Sequence, residues 1–310
     1  MTDDDEKREE DTLDMRARAG LERLKIGSAS PPTKLWTGLV SHHRDIFVSH
    51  VIPKLNTTDR CFFAMANDES WDVLKYAGVC VSELDIRVSE CSSISTLELA
   101  WNVIDWGNDK DCKGNVVDQA WFSWQVAKTK KLELLKWTRE EKKCEWDDRT
   151  IGVAACYGNI EMLKYCVDNG CPAPEDLFEF VALDGQLDAL KFLIDEKELA
   201  YDEQKQVMGN AGYGGDLDII KYLIEDKKFT GINEKLACLF ASISDGHLDC
   251  VKYLFEEVKI PEAIGSWQPI AAARYFEQPE VLNYLREKDL PEPTEELYAQ
   301  YVEYRLRERA

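Results

Sequence analysis

The chain lacks most of the short motifs that mark an enzyme or a metalloprotein. Among its 310 residues there are only four histidines, and no Cys-x-x-Cys pair, nucleophile elbow or phosphate-binding loop occurs. A zinc site needs Cys or His ligands at short, turn-like spacing, and Cys166 and Cys171 are too isolated to form one. We therefore predict that the protein is not an enzyme and that it has no catalytic residues, no metal and no cofactor.

Basic residues are scarce relative to acidic ones. The chain has 38 Lys and Arg against 59 Asp and Glu, which gives a formal charge of -21. A surface of this charge repels phosphate, so it disfavours binding to nucleic acid and to anionic membrane surfaces. It favours a basic protein or peptide as the partner.

Long apolar runs are also missing. No stretch reaches the ~18 residues that a membrane-spanning helix needs, and the N-terminal MTDDDEKREE has no apolar core of a secretory signal. We interpret the ten cysteines as reduced, buried thiols, as is typical of an intracellular protein. We therefore expect a cytoplasmic protein, with the nucleus as the alternative compartment.

The first 91 residues divide into two segments of different composition. Residues 1–36 are acidic and poor in apolar residues, which predicts a disordered tail and linker. Residues 37–91 predict a short helical segment in which one helical face is apolar and Pro53 ends or bends the first helix near Ile52. The residues that could cap the second helix are Thr57, Thr58 and Asp59.

A nine-residue pattern recurs between residues 92 and 290. It reads Gly-x-apolar-acid-x-apolar-Lys-aromatic-apolar, and its clear copies begin at Gly158, Gly185, Gly215 and Gly246. Eroded copies begin at Lys130 and Glu277. Self-similarity at a period of about 30 residues predicts a solenoid in which each repeat contacts its neighbours.

Each copy predicts two antiparallel helices joined by a turn. Gly215 is expected to end a first helix, because glycine adopts the left-handed conformation without strain. Asp218 is expected to open the second helix and to pair with Lys221. We interpret the position after the glycine as a polar turn position without shared chemistry; its occupants are Asn159, Gln186, Asp216 and His247.

The glycine, the acid and the apolar-Lys-aromatic-Leu run resemble the second helix of ankyrin repeats. The copies look most like the divergent ankyrin repeats common in protists and large viruses, and the resemblance covers roughly residues 92–290. The Thr-Pro-Leu-His start is missing, and the copies are shorter than the usual period of about 33 residues. The resemblance therefore implies an all-α fold, an α-solenoid of ankyrin-like helix-turn-helix repeats with short or absent β-hairpin fingers. Residues 291–310 are expected to form a C-terminal capping helix.

Residues 43–77 resemble an F-box, although His43–Arg44 replaces its usual Leu-Pro start. An F-box implies a substrate adaptor of a ubiquitin ligase, in which these helices hold a Skp-type linker protein. The residues that would bind the linker are Val51, Ile52, Leu55, Phe62 and Phe63. The alternative is that the helices only cap the N-terminal end of the solenoid.

The main functional prediction is a non-catalytic scaffold for protein–protein interaction, with the F-box-type adaptor as the alternative. In ankyrin-like stacks the first helices and the loops face the concave groove. The candidate partner-binding residues on that face are Trp121, Trp124, Tyr157, Asp184, Tyr213 and Asp245. Aromatic residues beside polar ones are common binding hot spots. For both tryptophans, packing in the core is the alternative interpretation.

Overall fold

The computed structural model describes residues 43–66, 68–79, 86–111, 114–196, 206–229, 231–260 and 266–308. The predicted tail and linker at residues 1–36 lie outside these ranges. The chain divides into two compact units. The first draws on residues 1–153 and 166–172, and the second on residues 154–165 and 173–310.

Short helices make up the described part of the chain before residue 148. They are α1 (Arg44–His50), α2 (Thr57–Ala66), α3 (Asp68–Tyr76), α4 (Ile94–Val103), α5 (Gln119–Lys128) and α6 (Leu132–Glu140). Pro53 has the predicted effect, because α1 ends at His50 and a 3-10 turn follows at Ile52–Lys54. The predicted N-cap of α2 is wrong: the side chain of Asn56 caps it, accepting a hydrogen bond from the Asp59 backbone N–H at 2.7 Å.

Helix pairs joined by tight turns follow, together with one closing helix. The pairs are α7 (Asp148–Cys156) with α8 (Ile160–Asp168), α9 (Leu177–Leu183) with α10 (Leu187–Lys191), α11 (Gln206–Gly214) with α12 (Leu217–Lys221), α13 (Ile232–Ser244) with α14 (Leu248–Tyr253), and α15 (Gln268–Tyr275) with α16 (Pro279–Glu287). The closing helix is α17 (Glu295–Glu308). Within the described ranges there is no strand beyond one isolated bridge between Lys110 and Val116. The prediction of an all-α solenoid of helix-turn-helix repeats without developed β-hairpins is confirmed there.

Three of the second helices end in a single π-helical turn, at residues 192–196, 222–226 and 254–258. Such a turn takes up one extra residue. In the repeats that contain it, the buried apolar residue that closes the repeat lies 14 positions after the glycine, as at Phe229 and Ile260. Where the second helix is purely α, the buried closing residue lies 13 positions on, as at Cys171 and Leu290. The π turn thus keeps the closing residue inside the stack.

The glycine that ends a first helix is also a point of close approach between repeats. Gly215 has φ +71°, and a Cβ atom there would overlap the imidazole ring of His247. His247 Nε2 donates a hydrogen bond to the Tyr213 carbonyl oxygen at 2.7 Å. Gln278 covers Gly246 in the same way. Its Nε2 donates a hydrogen bond to the carbonyl oxygen of the residue two positions before Gly246. His247 thus lies at the predicted turn position and in addition packs on the glycine of the preceding repeat, a contact that the sequence did not show.

The lysine of each clear copy in the second unit lies over the aromatic ring of the next repeat. Lys221 Nζ is 5.7 Å from the centroid of the Tyr253 ring, and Lys252 Nζ is 6.0 Å from that of Tyr284. The predicted pair between Asp218 and Lys221 is not formed, since the ammonium group turns to the ring instead. Attraction between a cation and the face of a ring contributes about 0.5–1 kcal/mol at exposed sites.

The tyrosine hydroxyls add a second link between the same repeats. Tyr253 Oη donates to the Glu225 carboxylate at 2.7 Å, and Tyr284 Oη donates to the Glu256 carboxylate at 3.1 Å. Burial and the carboxylate hydrogen bond both raise the pKa of Tyr253, because they favour the neutral phenol. The Lys-aromatic pattern of the sequence thus encodes a ladder of contacts that runs from repeat to repeat.

The C-terminal helix α17 packs on the last helix pair. Thr294 Oγ1 caps it, accepting a hydrogen bond from the Leu297 N–H at 3.3 Å. The Tyr301 ring lies 6.4 Å from the Trp267 ring and 6.1 Å from the Tyr275 ring, centroid to centroid, in edge-on contacts. These contacts hold α17 against α15, the first helix of the last pair.

Candidate protein-binding surface

Large apolar side chains remain exposed along the first helices of the second unit. Tyr157 and Phe180 are each 45% exposed, Tyr213 is 41% exposed and Leu183 is 39% exposed. Tyr213 and Leu183 both lie two residues before the glycine that follows their helix. Phe180 and Leu183 are three residues apart, so they share one face of α9. Exposed apolar groups that cluster in this way mark binding surfaces more often than isolated ones do.

Sequence reasoning selected Tyr157 and Tyr213 but missed Phe180 and Leu183. Comparison of the copies does not identify the missed pair. Phe180 occupies a position filled by Asn210 in the next repeat, and Leu183 one filled by Ser244 further on. Asn210 is half-buried and Ser244 is buried, so a polar residue in a sister copy does not show that the position faces solvent.

Acidic side chains border this apolar surface. Asp184 and Asp245 are both exposed and each directly precedes a repeat glycine. Partial burial raises the pKa of Asp245, although the nearby His247 opposes the shift. Burial, together with a hydrogen bond to the Asp184 carboxylate, raises the pKa of the Cys156 thiol to about 12. The Asp245 carboxylate is therefore partly desolvated.

A groove opens at the C-terminal end of the same row of helices. Its cavity volume is about 440 Å³, and α11, α13, α15 and α17 line it. Small residues form part of the lining, and aromatic rings stand around them. The lining residues are Gln206, Gly209, Tyr213, Ala237, Phe240, Ala241, Ser244, Gln268, Phe276, Tyr301, Tyr304 and Arg305. Tyr213 belongs both to the groove and to the exposed apolar surface, so the two are continuous.

The two tryptophan candidates lie in the first unit and are not free. Trp121 is only 1% exposed, so the core-packing interpretation is right for it and it cannot contact a partner. Trp124 is half-buried, and its ring lies against Lys128 Nζ at 3.9 Å and against the Arg149 guanidinium at 4.9 Å. The other candidates belong to the second unit; they are Tyr157, Asp184, Tyr213 and Asp245.

The side chains predicted to bind a linker are buried or half-buried. Ile52 is 3% exposed, and Phe63 stacks on the buried Phe47 ring with 5.3 Å between centroids. The other three candidates are half-buried; they are Val51, Leu55 and Phe62. Binding of a Skp-type linker and capping of the solenoid both stay predictions for this segment.

Comparison with protein-family models finds ankyrin repeats at residues 177–263, in three copies. Three ankyrin repeats are present. They begin with α9 and extend past α14, so they include the Phe180–Leu183 surface and the covered glycine at position 215. The ankyrin resemblance is confirmed for these copies, while the divergent type stays a prediction. No curated protein matches the chain.

Neither a metal site nor a membrane-crossing helix is found in the part of the chain that the structure describes. In the ranges that the structure describes, no three His, Cys, Asp or Glu side chains are grouped closely enough to hold a metal ion. No helix in those ranges combines the length and hydrophobicity that crossing a membrane requires.

Proposed function

We propose that this protein is a non-catalytic scaffold that binds a protein partner on the exposed first-helix surface of its ankyrin repeats. The observation that carries the proposal is the exposure of Phe180, Leu183 and Tyr213 on consecutive repeats. Aromatic and large aliphatic side chains dominate the binding energy of interfaces when a partner removes them from water. Their burial would recover about 25 cal/mol for each Å² of apolar surface.

The acidic border favours a partner segment that is both apolar and basic. Asp184 and Asp245 flank the apolar side chains, and the whole chain carries a charge of -21. A cation beside a partly desolvated carboxylate is attracted more strongly than it would be in bulk water. Such attraction accelerates association and weakens as salt is added. The groove next to Tyr213 would accept an apolar side chain of the same segment.

The test is affinity capture with the full chain at low and at high salt, with identification of the retained proteins. The variant carries Phe180→Ser and Leu183→Ser, and the control carries Leu306→Ser, which alters an apolar side chain that is 56% exposed on α17. A partner retained by the wild type and the control but lost from the double variant would support the proposal. Equal retention by all three proteins would contradict it.

A second variant separates the charge from the apolar contact. Asp184→Asn with Asp245→Asn should weaken capture at low salt and have little effect at high salt, because screening has then already removed the attraction. If no partner is retained at low salt, the electrostatic part of the proposal is wrong. If the double Asn variant binds as tightly as the wild type at low salt, the partner is not basic.

A further inference from the structure

The first clear repeat departs from its sisters at two positions. Cys166 stands eight residues after the repeat glycine position, where the later copies have Leu193, Leu223, Leu254 and Leu285. Cys171 stands at the closing position, where described sister copies have Phe229, Ile260 and Leu290. Both large apolar residues are thus replaced by cysteine in the same copy.

The backbone holds these two positions together. The N–H of Cys171 donates to the carbonyl oxygen of Cys166 at 2.9 Å, which closes the C-terminal turn of α8. The same closure joins Leu290 to Leu285 at 3.4 Å, so it belongs to the repeat and not to the cysteines. A six-residue closure of this kind brings the first and last side chains of the turn to the same side of the helix end.

The two thiols are in direct contact in the folded chain. The side chains of Cys166 and Cys171 are hydrogen-bonded to each other, and the Cys171 thiol also donates to the Asp147 carbonyl oxygen at 3.3 Å. The hydrogen bond between the two thiols and burial both raise the pKa of Cys166. Cys166 has no exposed surface and Cys171 is 7% exposed, so Cys171 is the thiol that a reagent reaches first.

We propose that Cys166 and Cys171 form an intrachain disulfide by exchange with a small-molecule disulfide such as glutathione disulfide. The Cys171 thiol loses its proton and attacks one glutathione sulfur, and the departing glutathione thiolate takes up a proton. Cys166, deprotonated in turn, attacks the Cys171 sulfur of the mixed disulfide and expels the second glutathione as a thiol. Two cysteine thiols are oxidised to one disulfide, and one glutathione disulfide is reduced to two thiols.

A second buried cysteine pair provides an internal comparison. Cys238 and Cys250 interact electrostatically, but their thiols have other hydrogen-bond partners. The Cys250 thiol donates to the Gly215 carbonyl oxygen at 3.3 Å, and Cys238 is hydrogen-bonded to Ser242. Because no thiol is aimed at the other in this pair, we expect it to stay reduced under conditions that oxidise Cys166 and Cys171.

The test uses the folded full chain incubated with glutathione disulfide, followed by acid quenching and alkylation of free thiols in denaturant. Trypsin then releases residues 165–191 with Cys166 and Cys171, and residues 236–252 with Cys238 and Cys250. The expected result is that peptide 165–191 is two hydrogens lighter and carries no alkyl group, while peptide 236–252 is alkylated twice. Double alkylation of peptide 165–191 after the incubation would overturn the proposal.

Single variants identify the order of the two steps. With Cys166→Ser, the exchange should stop at the mixed disulfide, so peptide 165–191 should retain one glutathione on Cys171. With Cys171→Ser, Cys166 should remain free to be alkylated, because it is fully buried. A glutathione adduct on Cys166 in that variant would contradict the assigned order. Whether the disulfide between Cys166 and Cys171 forms is decided by the wild-type peptide masses, which do not depend on the folding of a variant.

Discussion

Replacing Gly215 by alanine separates the two reasons for a glycine at the end of a first helix. The left-handed φ of +71° strains any other residue, and the His247 ring occupies the space that a Cβ would need. Gly185 provides a matched control in the neighbouring repeat. It has φ +70°, but a Cβ there would meet Asp216 Oδ2 only at 3.5 Å, which is ordinary contact.

The magnitudes follow from these two geometries. The left-handed conformation costs an alanine roughly 1–2 kcal/mol relative to glycine, and both positions bear this cost. Overpacking a filled site costs about 1–3 kcal/mol more, and only Gly215 bears that. We therefore expect Gly185→Ala to lower the free energy of unfolding by about 1–2 kcal/mol and Gly215→Ala to lower it by roughly 2–5 kcal/mol.

The assay is urea unfolding followed by circular dichroism, together with hydrogen exchange of peptides from residues 206–260. Exchange should increase most around α11 and α14 in the Gly215→Ala variant, since the clash lies between their repeats. In a His247→Ala background the clash disappears, and Gly215→Ala should then cost no more than Gly185→Ala. Equal costs for the two glycine substitutions in the wild-type background would refute the reasoning, because the covering ring would then contribute nothing.

Three further predictions test the ladder, the thiols and the N-terminal helices. Tyr253→Phe keeps the ring under Lys221 but removes the hydrogen bond to Glu225, so urea unfolding should show a loss of about 0.5–1 kcal/mol; an unchanged midpoint would contradict the ladder. Burial raises the pKa of Cys250 from 9.0 to about 11. The stability that this shift contributes is complete below pH 9 and lost as the pH rises through 11, so the urea midpoint should fall across that window; a constant midpoint would argue against it. If the N-terminal helices hold a Skp-type linker, Leu55→Asp should abolish co-purification of the linker with the full chain; unchanged co-purification would leave the capping role.

The repeat architecture could be predicted because its signals are local and recur. Gly215 and Asp218 mark a helix end and a helix start within four residues, and the same marks return in each copy. The contacts between copies could not be predicted in this way. Asp218 lies only three residues before Lys221 in the sequence, but Lys221 contacts the Tyr253 ring, 32 residues further on. The role of His247 depends in the same way on a glycine 32 residues earlier.

The candidate surface was predicted only in part, for a related reason. Trp121 and Phe180 both lie on helices that are apolar on more than one side, so periodicity does not show which side faces solvent. The structure buries Trp121 and leaves Phe180 45% exposed. Comparison of the copies position by position does not separate the two cases either, because the position of Phe180 holds the half-buried Asn210 in one repeat and the buried Ala241 in another.

The ladder of lysines, rings and carboxylates has a consequence for how such a protein can change. The ladder uses side chains on the second helices, whereas the exposed apolar side chains lie on the solvent-facing side of the first helices, whose other sides pack from repeat to repeat. Substitution at Phe180 or Leu183 can therefore alter what is recognised without loosening the joint between neighbouring repeats. Because each joint is made by the same kinds of side chain, a whole repeat can also be gained or lost while the remaining joints keep their form. The ladder residues and the exposed apolar residues are thus different side chains, so one set can be substituted while the other is kept.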